Sequence, residues 1–173
     1  PTRRSSDLLT MTSYFVGLTV AQLVCGPLSD AFGRRPVVLA FVGLYVAGSL
    51  ACMVAPTVET LIAARLVQGF GASVALAVSR AIVRDGYTGE PAARLYNLIG
   101  LTLAIGPAVS PTVGALVMAF ADWPAVFAVM LLYGLLVLAL FLALIPETNA
   151  APDRGALDPA RLVSNWRELL ATR

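Results

Sequence analysis

The sequence has 173 residues, of which 58% are hydrophobic and 13% are charged, and its mean hydropathy is +0.82. Soluble domains carry about 25% charged residues, so this composition excludes an ordinary soluble domain and indicates an all-α protein that crosses a membrane several times. Transmembrane strands would give ~10-residue segments of alternating polarity, which do not occur. With no His, and both Cys inside apolar runs, we expect no metal site and no cofactor. The net charge of +2 comes from Arg alone and concerns membrane topology, not nucleic acid.

The first eight residues, Pro-Thr-Arg-Arg-Ser-Ser-Asp-Leu, differ in character from everything that follows. Translated back through the genetic code, they match a common short-read sequencing adapter. We therefore predict that residues 1–8 are a non-native leader and exclude them from the fold prediction. The alternative is a native basic leader.

Five apolar runs follow, and each is long enough to cross a hydrocarbon core of ~30 Å, which takes ~20 helical residues. The predicted spans are residues 9–29, 36–55, 59–84, 92–120 and 124–145. In the second span small residues recur every four positions, at Gly43, Ala47 and Ala51, which predicts a groove for close helix packing.

After the fifth span the composition becomes polar. Residues 149–158 form a linker with Pro and Gly, and Asp158-Pro159 has the residue types of a helix start. Apolar residues then share one helical face, so we predict a short amphipathic helix that lies along the membrane surface.

Arginine occurs only in alternate loops and near span ends, apart from Arg65 and the leader. The Arg-containing segments hold Arg34 and Arg35, then Arg80, Arg84 and Arg94, then Arg154, Arg161, Arg167 and Arg173. The turns of the opposite side contain none. The positive-inside rule therefore predicts that the Arg-rich loops are cytoplasmic and supports five spans.

The first loop, Gly-Pro-Leu-Ser-Asp-Ala-Phe-Gly-Arg-Arg at residues 26–35, is dense in glycine and charge. Its glycines permit tight turns, and Asp30 lies at a helix end, where it can pair with an arginine or with another helix N-terminus. Arg34 is within reach of Asp85, at the same end of the third span. We predict a latch that opens during transport. Its residues are Gly26, Asp30, Gly33, Arg34, Arg35 and Asp85. The alternative, favoured for the second arginine, is that the arginines only set topology.

Arg65 lies six positions after Glu59, so ~9 Å from the start of the third span at 1.5 Å per residue. A charge at that depth is costly and faces a cavity or a partner. Gln68 and Gly69 share its helical face. We predict that these three residues face a cavity and act in substrate binding or proton coupling. The alternative is an arginine that snorkels to the interface and pairs with Glu59.

Other polar and small residues inside the spans are secondary candidates. Tyr14, Gln22 and Asn97 either line the cavity or form hydrogen bonds between helices. In the fourth span Gly106, Ser110 and Gly114 recur every four residues beside Pro111, which predicts close packing and a kink.

Three segments resemble motifs of the major facilitator superfamily. Residues 26–35 resemble its signature loop between helices two and three, and Arg-Leu-Val-Gln-Gly-Phe-Gly-Ala at 65–72 resembles the helix-four motif of its drug/proton antiporters. Residues 106–115 loosely resemble the helix-five antiporter motif. The residue order in the loop and in Pro146-Glu147-Thr148 is similar to that of the Bcr/CflA drug-resistance subfamily. Ala31 departs from the basic residue usual at its position.

The resemblance implies the N-terminal helical bundle of a twelve-helix transporter, with residues 9–146 as helices two to six and residues 147–173 as the start of a cytoplasmic linker. Helix one, where the subfamily has an acidic residue suited to carrying protons, and the C-terminal half would lie outside this sequence. The implied partners are a small-molecule substrate, protons, membrane lipid and the remainder of the same chain, in a monomer.

The function that the resemblance implies is proton-coupled export of small drugs or toxic compounds across the bacterial inner membrane, with this fragment unable to transport alone. An enzyme is not expected, because the sequence has no nucleophile–base pair and no phosphate-binding loop. One alternative is a transporter of a native metabolite from the same superfamily. A non-transporting membrane scaffold is a more distant alternative, because a scaffold has no need for a buried Arg65.

Overall fold

The computed structural model describes residues 3–149, 153 and 155, and their side chains from residue 6 onward. This part of the chain is helical, without strands. The helices are α1 (Arg3–Phe32), α2 (Arg34–Met53), α3 (Val58–Ala72), α4 (Val74–Gly86), α5 (Gly89–Phe120) and α6 (Pro124–Leu144). Five helical segments are long and apolar enough to cross a membrane, which confirms the predicted all-α polytopic fold.

Three predicted boundaries differ from the structure. The loop predicted at residues 26–35 is reduced to the single residue Gly33, because α1 continues to Phe32 and α2 begins at Arg34. The third span is not one uninterrupted helix, because α3 and α4 meet at Ser73, whose N–H bonds to the carbonyl oxygen of Phe70 in a tighter turn. The two still form one membrane-length segment, Val58–Gly86. α1 begins at Arg3, so the helix includes most of the predicted leader. The predicted amphipathic helix after Asp158 lies outside the described residues.

Local sequence explains where the helices start. Gly33 has a φ of 99°, a conformation that favours glycine, and this single residue turns the chain from α1 into α2. α3 begins with a reciprocal capping pair between Thr57 and Thr60. α6 begins with Pro124, whose missing N–H costs nothing at the first helical position.

The α3–α4 segment is the centre of the bundle and packs against α1 and α2, while α2 also packs against α6. Glycine makes the α3 contacts possible. A Cβ on Gly69 would overlap the backbone carbonyl of Tyr14, and one on Gly71 would overlap the backbone at Tyr45. Small residues of this kind let helix backbones approach closely. The adjoining apolar core is made by Ala21, Cys25, Val37, Val38, Phe41, Val42, Val74 and Val78.

The groove predicted on α2 at Gly43, Ala47 and Ala51 has no partner among the described helices and stays a prediction. Nothing described lies within 4 Å of a Cβ placed on Gly43, and Ala47 is exposed. The glycine of α2 that packs closely is Gly48, where a Cβ would lie 2.7 Å from the backbone nitrogen of Gln68. The contacting face is therefore set by the path of α3, not by the four-residue repeat.

α5 stands apart from this core. Its main contacts among the described helices are with α4 and α6, and Ala92 is its one buried residue. Gly106 and Gly114 have open space beside them, and Ser110 and Pro111 are exposed. The helix continues through both of its prolines. These helices therefore supply no partner for the predicted helix-five motif, and its packing role stays a prediction.

Candidate functional site

Arg34 is the centre of a charged cluster at the α1–α2 loop. Its side chain is buried, with the residue 4% exposed. Nη1 lies 2.6 Å from Asp30 Oδ1 and donates to Ser29 Oγ at 2.6 Å, while Nε lies 2.9 Å from Asp85 Oδ2. The structure thus brings together Asp30, Arg34 and Asp85, from α1, α2 and α4. Removing one partner of a buried ion pair costs about 3–5 kcal/mol.

Glu147 joins this cluster from the end of α6. Its carboxylate accepts the backbone N–H of Arg34 at 2.9 Å and of Arg35 at 3.0 Å, and so caps the N-terminus of α2. A Cβ on Gly33 would lie 2.7 Å from Glu147 Oε2, so a side chain at position 33 would crowd the cap. In return, Arg35 Nη2 donates to the carbonyl oxygen of Leu142 at 3.1 Å, in the last turn of α6. Two helix ends thereby cap each other.

The segment after α6 also contacts the end of α1. Asn149 Nδ2 donates to the carbonyl oxygen of Asp30 at 3.1 Å, and the backbone N–H of Asp153 donates to the same oxygen at 3.0 Å. Sequence reasoning missed this role of Glu147, because its partners are backbone N–H groups more than 100 positions away. The one signal for Glu147 in the sequence was the motif Pro146-Glu147-Thr148, which indicated similarity to a transporter subfamily but no contact for this side chain. Arg35, for which the sequence favours a role in membrane topology alone, also bonds the carbonyl oxygen of Leu142 and so contributes to helix packing.

The cap makes stability depend on pH. Burial opposes ionisation of Glu147, but backbone N–H groups, including those of Asn149, Arg34 and Arg35, outweigh it and hold the pKa of this carboxyl below its ordinary value of 4.5. A depressed pKa in the folded state means that the carboxylate stabilises the fold above pH 4.5. That contribution is lost as the pH falls through the folded-state pKa.

We therefore expect Glu147→Gln to lower stability near neutral pH by about 0.5–2 kcal/mol, the usual value of a helix N-cap. The measurement is the melting temperature in detergent across the acid range. The difference between variant and wild type should begin to shrink below pH 4.5, where the unfolded chain is protonated, and disappear as the pH falls through the lower pKa of folded Glu147. Glu90→Gln is the matched control, because that exposed side chain pairs with Arg94 and with no other residue of the described part of the chain. A difference that stays constant with pH would contradict the cap.

Arg65 lies in a second cluster, in the middle of the bundle. Its guanidinium carbon is 5.4 Å from the ring centre of Tyr14 and 5.1 Å from that of Phe127, and Nη1 donates to Gln68 Oε1 at 2.9 Å. Arg65 makes no ion pair within the described part of the chain, so the alternative pair with Glu59 is not formed. Arg65 is partly exposed in the described part of the chain, and cation–π contacts are worth about 0.5–1 kcal/mol at exposed sites and about 2 kcal/mol when desolvated.

Gln68 connects the Arg65 cluster to the rest of the bundle. It is fully buried, and its Nε2 donates to Ser49 Oγ at 2.8 Å and contacts Met130 Sδ at 3.7 Å. Gly69, beside it, provides the close contact with Tyr14. The other two candidates are not in this cluster: Gln22 and Asn97 make no hydrogen bond to any described residue, Gln22 half-buried and Asn97 exposed.

A pocket of about 270 Å³ lies beside the Arg65 cluster. Tyr14 belongs to both, and the other walls come from α2, α3, α4 and α6. The lining residues are Tyr14, Leu18, Val42, Tyr45, Gly71, Ala72, Val74, Ala75, Tyr133, Gly134 and Val137. They include three tyrosines and no charged side chain. Apolar and aromatic walls with a few hydroxyl groups suit a small, largely apolar molecule.

Comparison with known proteins identifies relatives among bacterial transporters. The chain is 42% identical over 167 residues to an uncharacterised MFS-type transporter, YdgK, of Bacillus subtilis, with 95% of this chain and 42% of that protein covered. It is 41% identical over 128 residues to a chloramphenicol resistance protein of Pseudomonas aeruginosa, covering 73% and 30%. It is 34% identical over 148 residues to a bicyclomycin resistance protein homologue of Haemophilus influenzae, covering 84% and 36%. The chain therefore spans less than half the length of these relatives.

A solved structure has the same arrangement of helices. The crystal structure of the human organic anion transporter MFSD10 superposes with a TM-score of 0.69 at 25% identity, covering 87% of this chain and 36% of that one. The family model of the Major Facilitator Superfamily matches residues 5–173. With the motif-bearing loop and the Arg65 cluster on one five-span bundle, these matches show that the chain belongs to the Major Facilitator Superfamily.

Proposed function

We propose that this chain is the N-terminal part of a secondary transporter that exports small, drug-like compounds across the bacterial inner membrane in exchange for protons. The observation that carries the proposal is the Arg65 cluster. Its guanidinium lies seven residues after the start of α3, ~10 Å along the helix, without a carboxylate partner among the described residues and beside an apolar, tyrosine-lined pocket. The antibiotic-resistance names of two relatives support the choice of drugs over native metabolites.

The proposed role of Arg65 is coupling. A permanent positive charge in this position favours an anionic group nearby. A membrane-embedded acid elsewhere in the complete protein would carry the proton, and its ionisation would be stabilised by Arg65. Binding of substrate or proton would then shift the equilibrium between the inward-facing and outward-facing states, because the two states bind each of these ligands with different affinity.

The experiment that tests this function is export from energised cells that express the complete transporter. The substrates are chloramphenicol, bicyclomycin and a fluorescent lipophilic cation, each measured with and without a protonophore. We expect export of at least one compound, lost when the proton gradient is collapsed. Gradient-independent export would contradict proton coupling. Absence of export for all three would instead favour a native metabolite as the substrate.

We further propose that the charged cluster around Arg34 is a cytoplasmic latch that opens during the transport cycle. It joins the α1–α2 loop to α4 and, through Glu147, to the end of α6, so movement of α4 relative to this loop must break the pair between Arg34 and Asp85. The placement of Arg34, Arg35, Arg84 and Arg94 at one end of the bundle supports its assignment to the cytoplasmic side.

The buried thiols provide a test of the latch. Asp85→Asn keeps the shape of the side chain but removes the charge opposite Arg34 Nε, so the latch should open more often. We expect alkylation of Cys25, which is fully buried two turns before the end of α1, to become several-fold faster, as measured by site-resolved mass spectrometry. Cys52, equally buried at the opposite end of α2, is the control and should react at the wild-type rate. Unchanged alkylation of Cys25 would count against the latch.

A further inference from the structure

The amide of Gln68 has a defined direction. Its oxygen faces the Arg65 guanidinium, and its nitrogen faces two acceptors, Ser49 Oγ and Met130 Sδ. In the reversed orientation the NH₂ group would face Nη1 of Arg65, placing donor against donor, because a guanidinium has no acceptor. Reversal would therefore remove the one hydrogen bond that Arg65 makes to a described residue.

Ser49 determines this direction. A hydroxyl has a single hydrogen, and Ser49 donates its own to the carbonyl oxygen of Tyr45 at 2.8 Å, one turn earlier in α2. The hydroxyl oxygen can therefore offer Gln68 only lone pairs, which select the NH₂ end of the amide. The second acceptor, Met130 Sδ, is weak and lies at 3.7 Å. Ser49 is fully buried, so bulk water does not compete with its hydroxyl for the amide of Gln68.

We propose that Ser49 is a positioning residue for Arg65: it orients Gln68, and Gln68 in turn holds the guanidinium between Tyr14 and Phe127. Ser49 makes no hydrogen bond to Arg65, and it bonds one residue of the pocket lining, Tyr45, through the backbone carbonyl of that residue. The functional consequence rests on the proposed role of Arg65 in transport, whereas the geometric effect does not. Without the hydroxyl, the stronger of the two acceptors that hold the NH₂ end of the amide is lost, so Gln68 turns away from Arg65 more often and the guanidinium leaves the two rings more often.

The test measures the accessibility of Arg65 directly. The complete transporter is purified in detergent and treated with phenylglyoxal, which modifies guanidinium groups, and the rate at each arginine is followed by mass spectrometry. We expect Ser49→Ala to accelerate modification of Arg65 by roughly fivefold, the ratio that corresponds to about 1 kcal/mol. Arg94, whose side chain is 78% exposed, is the internal reference and should react at an unchanged rate. An unchanged rate at Arg65 would overturn the proposal.

Two isosteric variants separate the hydroxyl from packing. Ser49→Thr and Ser49→Val add nearly the same volume at this buried position, but only Thr retains an O–H that can bond the carbonyl of Tyr45. We expect phenylglyoxal to modify Arg65 more slowly in the Thr variant than in the Val variant. Any strain from the added methyl group should be common to both variants. Equal rates in the two variants would show that the hydroxyl does not position Arg65, even if Ser49→Ala fails to fold.

A second background tests the route through Gln68. In Gln68→Glu both side-chain oxygens are acceptors, so no orientation has to be selected. We expect Ser49→Ala to leave the Arg65 rate unchanged in this background, and an equal acceleration in both backgrounds would contradict the proposed route. Because this readout requires no transport, a wild type that exports nothing would refute the proposed function and leave the Ser49 result standing. If the wild type exports, Ser49→Ala should lower that export and Ser49→Thr should retain more of it than Ser49→Val.

Discussion

Replacing Arg65 with alanine in the complete transporter should reduce proton-gradient-dependent export by roughly tenfold or more, because it leaves a buried acceptor on Gln68 unpaired at a cost of about 1–3 kcal/mol. The substitution also empties the space between Tyr14 and Phe127 and removes the only charge of the cluster. The measurement is the initial rate of drug export from energised cells, normalised to the amount of transporter in the membrane.

Two control variants make this result specific. Arg65→Lys keeps the charge but lacks the planar fork that both stacks between rings and bonds Gln68, so export should be intermediate between wild type and Arg65→Ala. Arg94→Ala removes an exposed arginine that pairs with Glu90 in the first turn of α5. Exposed pairs of this kind contribute about 0–1 kcal/mol, so this variant should export nearly normally. Normal export by Arg65→Ala would instead support an arginine that snorkels to the interface.

The fold could be predicted because its main determinants are local. Each span is a long, predominantly apolar run, and the loop charges are clustered, so the pattern of apolar and charged residues defines the number of spans and their order. The proximity of Arg34 to Asp85 also follows from topology, because alternate loops share one side of the membrane whatever the details of packing. Neither inference requires knowledge of how one helix is rotated against its neighbour.

The parts that could not be predicted depend on that rotation or on backbone partners. The face of α2 that packs against α3 carries Gly48, and the four-residue repeat of small residues could not predict this, because the position of the neighbouring helix determines which face is covered. The bond between Ser49 and Gln68 requires the register of α2 against α3, which no pattern in either helix contains. Glu147 was missed because the N–H groups that it caps belong to every residue and leave no signature in the side chains. α5 received a packing role from its motif, yet no described helix covers that face.

Substitution of the α3 glycines that contact other helices is expected to have a large effect on stability. Gly69→Ala adds a Cβ that overlaps the backbone carbonyl of Tyr14, and a backbone cannot move aside as the end of a side chain can. Overpacking of this kind costs about 1–3 kcal/mol and occasionally more, and here we expect the upper end, because α1 and α3 must separate along their whole contact. Separation would also displace Tyr14 from Arg65, so export should fall together with stability.

Gly43→Ala provides the matched comparison, because it makes the same chemical change in the middle of α2 where no described atom lies within 4 Å. Replacing a helical glycine with alanine is otherwise stabilising by about 0.5–1 kcal/mol. The two variants should therefore change the melting temperature in opposite directions, with the reactivity of the buried thiols Cys25 and Cys52 as the unfolding signal. A Gly69→Ala variant as stable as Gly43→Ala would mean that α1 and α3 lie farther apart than in this structure. The position of Tyr14 over Arg65, and with it the proposed coupling site, would then be wrong.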